Sequence, residues 1–292
     1  MAHKRLAVIT DGEHPGLRPD DVGLDAAFAA LGVEVTPLPW GQAVPDTEFD
    51  AALIRTPWDY FTEPEAFLSW AESLSVPVLN SASTLRWNHD KRYLLELAQS
   101  GAARLPATEL LTAGEAVDTR TLLRTLGCER AVVKPAVSGG AFGTRVVSVD
   151  EPLVWGDGES GPYLAQAFVD AVTGEGEWSL TYFGGALSHS VRKVPKEGDF
   201  RVQDDFGGAV LFEEAPAECV LAAEAVLAEA RRCLSEDDGL TYARVDLVRD
   251  EADAVPLLME LELIEPELGF QCAPDRAERF ASVLQRHLSE TL

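Results

Sequence analysis

The stretch AVVKPAVSGGAFGTRVVSV, residues 131–149, sets two β-branched runs on either side of a loop of small residues, with Lys134 ending the first run. A phosphate-binding P-loop would need the lysine after the glycines, at the start of a helix. Here Lys134 precedes Ser138, Gly139, Gly140 and Gly143, and Thr144-Arg145-Val146-Val147 continues as strand. A dinucleotide fingerprint also needs a helix after its glycines and fails for the same reason. Two readings remain. One is an ordinary glycine-containing hairpin; the other is a hairpin whose bare amides face phosphate oxygens. The loop alone does not choose between them.

Composition narrows the field. The chain has 292 residues, 46% of them apolar, ample for a buried core in one large or two to three small domains. Its 49 acidic and 24 basic side chains leave a formal charge of -25, which repels nucleic acid and anionic membranes, so neither is an expected partner. Cys128, Cys219, Cys233 and Cys272 show no metal or redox spacing and read as reduced thiols of a cytoplasmic protein. No apolar run approaches the roughly 20 residues of a membrane span.

The first eighty residues alternate strand and helix. Strands are expected at Leu6–Thr10, Val33–Leu38, Ala51–Arg55 and Val76–Leu79, and helices at Asp21–Leu31 and Glu63–Leu74. That pattern is a small α/β unit with a parallel sheet, whose ligands sit at the carboxyl ends of strands. Arg55, Trp58 and Asp59 gather at one such end, as a salt bridge with a packing anchor or as a substrate contact. Further on, Asn88 reads as the N-cap of a helix running to Gly101, which puts Lys91 in the first turn against the helix dipole and invites a nearby anion. A helix over Asp118–Leu126, a strand over Tyr163–Val169, a hairpin turning at Gly184-Gly185 and a long helix over Ala215–Leu234 complete the outline. Arg192, Lys193, Lys196 and Arg201 crowd one segment, either an anion clamp or a solvated turn.

Two strictly alternating segments carry the acids. With a side-chain period of two, Arg244 and Asp246 share one strand face, and Glu260 and Glu262 share another. Val245, Leu247, Met259, Leu261 and Leu263 are expected to point into a core. The polar link Arg249–Pro256 makes the two strands a hairpin, and one register brings the three carboxylates together. Such a group needs a cation, and hard oxygens suit Mg²⁺ or Mn²⁺ sharing its shell with phosphate. The alternative is a wet sheet face.

Taken in order, RTPWDYF, STLRWNHDKRYLLELA, VVKPAVSGGAFGTRVV, AQAFV, GEWSL, RKVPKEGDFRVQDDFGG, YARVDLV and MELELIEPEL resemble the ATP-grasp superfamily. Within it the chain is similar to the glutathione-synthetase-like branch, and there to the cyclo-ligases that form D-cycloserine from O-ureido-D-serine. The resemblance implies a mixed α/β and α+β architecture: an N-terminal Rossmann-like (pre-ATP-grasp) domain over 1–82, a small lobe with the glycine-rich hairpin over 83–165, and a C-terminal lobe with the metal hairpin over 166–292. It implies that Lys91 and Lys134 hold the α- and β-phosphates of ATP, that Ser138, Gly139 and Gly140 close over the triphosphate, and that Gln166, Ala167, Phe168 and Val169 form the adenine hinge. Glu175 or Glu177 would meet the ribose, and Asp246, Glu260 and Glu262 would bind Mg²⁺ or Mn²⁺. Arg201 and Arg244 would grip phosphate or acceptor oxygens, and Arg55 and Asp59 a small amino-acid-like acceptor. A homodimer is usual among such relatives.

The sequence departs from the family pattern twice. Glu262 stands where relatives often have asparagine, and Trp178-Ser179 follow Glu177 where some place a basic phosphate contact, which Arg192 or Lys193 would then replace. The activity implied is ATP-dependent carbon–nitrogen ligation through an acyl-phosphate-type intermediate. A small-molecule kinase and a non-catalytic nucleotide-binding module are the alternatives, the latter disfavoured by the intact lysine pair and carboxylates.

Overall fold

The computed structural model describes residues 4–21, 23–196, 207–234, 240–250, 254–270 and 275–290. Three sheets organise the chain. The first is parallel, in the order β2-β1-β3-β4, from β1 (Lys4–Thr10), β2 (Val33–Pro39), β3 (Ala51–Thr56) and β4 (Val78–Leu79). Leu6, Ala7, Val8 and Ile9 are all fully buried, because helices cover both faces and leave no wet side for polar residues. The helices are α1 (Leu24–Ala30) and α2 (Pro64–Glu72), the latter opened by Pro64, whose missing N–H costs nothing in a first turn.

The expected long helix from Asn88 is two short ones, α3 (Ala82–Asn88) and α4 (Tyr93–Gln99). Ser81 is the N-cap, accepting from the Thr84 N–H, and Asn88 instead ends α3. Lys91 therefore sits in the connector, outside any first turn, with its N–H donated to the Ala136 carbonyl at 2.7 Å. Tertiary contacts here override the local capping preference.

The second sheet is antiparallel, order β5-β8-β6-β7, from β5 (Thr108–Thr112), β6 (Arg130–Pro135), β7 (Arg145–Ser148) and β8 (Pro162–Ala167). It is backed by α5 (Thr119–Leu126), which Asp118 caps and Gly127 ends at φ 66°. After the single turn α6 (Ala171–Gly174) comes the third sheet, order β11-β10-β9-β12-β13. Its strands are β9 (Glu177–Phe183), β10 (Ala186–Val194), β11 (Ala209–Phe212), β12 (Tyr242–Arg249) and β13 (Pro256–Glu262), and all pair antiparallel. α7 (Ala217–Leu234) packs on this sheet, and α8 (Asp275–Glu290) closes the described chain.

β8 runs past the expected boundary at 165, and the buried clusters cross between the three expected segments. Phe280 of α8 packs with Phe28 of α1 and Phe183 of β9, so the C-terminal helix joins the first sheet to the third. Tyr93, Leu94 and Leu97 share a core with Leu180, Val245 and Leu261. Asn80 adds a polar stitch: its amide donates to the carbonyls of Tyr242 at 2.9 Å and Leu263 at 2.8 Å, and accepts from the Thr241 N–H at 2.7 Å. Asn80→Ala strands three buried backbone groups, each worth about 1 kcal/mol or more. We expect a loss of about 3 kcal/mol and a melting point lower by about 5 °C, read by thermal denaturation.

The β12–β13 ladder decides the site. Arg244 faces Glu262 and Asp246 faces Glu260, and the register then shifts so that Leu247 faces Leu258. Met259 is the extra residue of this bulge, lining the neighbouring cavity while packing on the small cluster of Ala171, Val172 and Val248 rather than in the main core.

Candidate active site

A cavity of about 490 Å³ opens between the second and third sheets, with its outer wall supplied by the loop after β3. Four elements reach it: β6, the α3–α4 connector, the glycine loop and the β12–β13 hairpin. β6 delivers Lys134, whose Nζ lies 3.4 Å from the Met259 carbonyl. Burial holds the Lys134 ammonium below its ordinary pKa, with Lys91 adding repulsion and Glu260 only partly compensating.

The α3–α4 connector delivers Lys91. Its Nζ donates to the Ser138 carbonyl at 2.5 Å and pairs with Glu260 at 3.0 Å. Burial works against this cation, but the facing Glu260, with Glu265 and Glu262, holds its pKa above the ordinary value. Lys91 thus bridges the glycine loop and the acidic hairpin.

The glycine loop closes the cavity from above. A Cβ at Gly139 would lie 3.2 Å from the Phe61 ring, and Gly140 has φ 55°, so side chains are disfavoured at both for separate reasons. Phe142, from the same loop, rests on Phe61 with ring centroids 5.2 Å apart.

β12 and β13 deliver the acids. Asp246 accepts from the Ser179 hydroxyl at 2.6 Å and from Arg244 Nη2 at 2.9 Å, and Arg244 also pairs with Glu262. Burial opposes the Asp246 carboxylate, yet Arg244 and Lys193 hold its pKa below the ordinary range. Glu260 stays low, against its burial, through Lys91 and Lys134. Burial lifts Glu262 to about 7 despite Arg244, with Glu260 and Asp246 adding to the rise.

Among the described residues no three acidic, histidine or cysteine side chains close into a metal cage; lysine and arginine stand between the carboxylates. Mg²⁺ does not ask for such a cage, since it binds through one or two carboxylates plus water and phosphate. Asp246 and Glu260, directly opposite each other, fit that requirement, and Glu262 stands beside them on the same face.

Gln166, Ala167, Phe168 and Val169 all line the cavity where β8 ends, the Gln166 amide being spent on the Thr108 hydroxyl at 3.1 Å. The ribose alternatives separate. Glu177 lines the cavity, and burial, helped by Asp246, pushes its pKa up to about 8. Glu175 lies outside the lining, held by Arg249 and the Trp178 indole. The basic segment also divides: Lys193 faces inward, 4.0 Å from Glu177, while Arg192 turns out to Glu213, because both belong to one strand and must alternate.

The two expected substrate contacts both lie outside the cavity lining. Arg55 is fully buried, bound at 2.6 Å to Asp21 and at 3.1 Å to the Pro266 carbonyl, so its charge is used within the fold. Asp59 is outside the cavity lining and accepts from the Trp40 indole at 2.6 Å. The same loop places Trp58, Tyr60 and Phe61 there instead. Arg201 lies outside the described residues. Glu265 also reaches the cavity, its pKa raised to about 8 by burial and by Glu262. Its position three residues beyond the acidic strand was its signal in the sequence.

Comparisons with known proteins supply the family. Residues 6–80 match the family model of the N-terminal domain of D-cycloserine synthetase DcsG. The cycloserine biosynthesis protein DcsG of Streptomyces lavendulae is 30% identical over 97% of this chain and 98% of its own. The crystal structure of D-cycloserine synthetase DcsG superposes with a TM-score of 0.82 at 27% identity, covering 97% of this chain and 99% of the other. D-alanine–D-alanine ligase from Bacillus anthracis, solved with ATP, has the same fold, with a TM-score of 0.65 at 17% identity over 99% and 98% of the two chains. The chain is therefore an ATP-dependent carbon–nitrogen ligase of ATP-grasp fold and belongs to the D-cycloserine synthetase DcsG family.

Proposed function

We propose that the enzyme is a cyclo-ligase that closes a small amino acid onto itself, with D-cycloserine as the product by analogy with its relatives. The observation that carries this reading is the convergence of Lys91, Lys134, the Ser138–Gly140 loop and the Asp246–Glu260 pair on one cavity with an aromatic outer wall. The substrate carboxylate attacks the γ-phosphorus of ATP, the bond to the β–γ bridging oxygen breaks, and ADP leaves. The ureido nitrogen attached to oxygen in the same substrate then attacks the acyl carbon, expelling phosphate and losing a proton, and water removes the carbamoyl group from that nitrogen as carbon dioxide and ammonia. Phosphoryl transfer asks the protein for position and charge more than for covalent chemistry.

In this reading Lys91 and Lys134 hold the α- and β-phosphates, Gln166 to Val169 seat the adenine, and Glu177, rather than Glu175, meets the ribose. Asp246, Glu260 and Glu262 would hold Mg²⁺, which when bound neutralises phosphate oxygens. Arg244, lying between Asp246 and Glu262, offsets charge that develops at the γ-phosphoryl group, and Arg201 keeps the phosphate or acceptor role implied by the resemblance. Trp58, Tyr60 and Phe61 bound the acceptor end and keep water from the acyl intermediate. The lobes 1–82, 83–165 and 166–292 supply acceptor wall, lid and acid hairpin respectively. The thiols of Cys128, Cys219 and Cys233 are all free, as suits a cytoplasmic setting, and a homodimer is the proposed assembly.

The test is ADP release with O-ureido-D-serine and related amino acids, followed by mass analysis of the product. Loss of ammonia and carbon dioxide, or of a urea-derived fragment, without retained phosphate supports ring closure. A phosphorylated product would identify a kinase, and nucleotide binding without ADP release would identify a binding module.

A further inference from the structure

β13 is the outer strand of its sheet, and an outer strand normally leaves half of its backbone groups without partners. In an antiparallel ladder the N–H and C=O of one residue point to the same side. Those of Leu261 and Leu263 point away from β12, and side chains take them up in place of another strand. The Tyr93 hydroxyl donates to the Leu261 carbonyl at 2.8 Å and accepts from the Leu261 N–H at 2.9 Å. The Asn88 amide donates to the Leu261 carbonyl at 2.8 Å and accepts from the Leu263 N–H at 2.8 Å. Both side chains are more than nine-tenths buried.

Leu261 lies between Glu260 and Glu262, and Lys91 lies between Asn88 and Tyr93. One connector therefore both fixes the strand that carries the acids and supplies the cation that faces Glu260 at 3.0 Å. The same connector also reaches the glycine loop, because the Lys91 N–H holds the Ala136 carbonyl at its root. We propose that Asn88 and Tyr93 are positioning residues for the ligation: they clamp the free edge of β13 and so set Glu260 and Glu262 at the height required by bound nucleotide. The proposal rests on the reading that Glu260 serves turnover. A strand held by side chains can shift by an ångström when one is lost, and displacements of that size cost reactions that depend on alignment about a hundredfold.

Tyr93→Phe keeps the ring against Trp87, 5.2 Å away, and removes only the hydroxyl. The expected result is a kcat ten- to a hundredfold lower at 15 °C, a KM for ATP within threefold of the parent, and at least tenfold faster amide exchange at Leu261. Asn88→Asp, which keeps an acceptor for the Leu263 N–H, is expected to lower kcat in the same way with exchange at Leu263 little changed. A purely structural role would lower the melting point and leave kcat at 15 °C within twofold; that result, with Leu261 exchange accelerated, overturns the proposal. Should Tyr93→Phe not fold, Asn88→Asp decides on the same kcat reading. Glu260→Gln, measured in parallel, separates the two ideas: a fully active Glu260→Gln removes the site reading itself, whereas an inactive Glu260→Gln beside a fully active Tyr93→Phe removes only the clamp.

Discussion

Glu260→Gln is expected to lower kcat about a thousandfold while the protein melts within a few degrees of the parent. The substitution is isosteric, so Leu261 and the β12–β13 ladder are undisturbed, and the amide oxygen still accepts from Lys91. What disappears is one negative charge, opposite Asp246 and 3.0 Å from Lys91. Lys91 keeps its hydrogen bond to the Ser138 carbonyl, so the link between the connector and the glycine loop is not broken. Stability is therefore largely kept. Turnover is not, because fixed charges aimed at a reacting phosphoryl group supply much of the rate, and losing one such group typically costs a hundred- to a thousandfold. Steady-state ADP release and a thermal melt on the same preparation check both halves. Unimpaired turnover would remove Glu260 from the site, and a collapse in melting temperature would make its role structural.

Lys134→Met is expected to raise the KM for ATP about a hundredfold, close to 2.7 kcal/mol of binding, without lowering the melting point. This ammonium is half-buried at the end of β6 with the Met259 carbonyl at 3.4 Å. Burial lowers its pKa, so the folded state binds that proton less readily than the unfolded chain does. The sign follows: charged Lys134 weakens the fold wherever pH lies below its ordinary pKa, and methionine of similar volume removes that cost. A site residue whose loss harms binding and spares or improves stability is the usual mark of function placed against fold. Nucleotide titration by calorimetry beside thermal denaturation checks it. A destabilised variant with normal ATP affinity would assign Lys134 to structure.

Much of the fold was legible because its signals are local. The buried runs of the first sheet read as strands since both faces are covered, and the alternation of Arg244, Asp246, Glu260 and Glu262 needed only the period of a strand. The resemblance to ATP-grasp proteins, carried by ordered motifs over nearly the whole chain, agrees with the family to which the chain belongs. Local reading went wrong where a distant partner outbid a neighbour. Asn88 looked like an N-cap until β13 offered its amide two backbone partners 173 and 175 residues away. Arg55 read equally as a salt bridge or a ligand contact, and Asp21, 34 residues earlier in the chain, supplies the salt bridge.

Sequence by itself determined which residue types share a strand face, where the glycines free the backbone, and that an acidic chain holds a few conspicuous lysines. Those properties follow from covalent geometry and side-chain chemistry, which travel with the residues. Only the tertiary structure decided that Asp246 stands opposite Glu260, that a bulge sets Met259 at the cavity, that Glu177 rather than Glu175 reaches the cavity, and that side chains rather than a strand hold the edge of β13. Register and edge pairing are set by which backbone groups find partners once the sheets pack, and one residue of slip exchanges every inward side chain for an outward one.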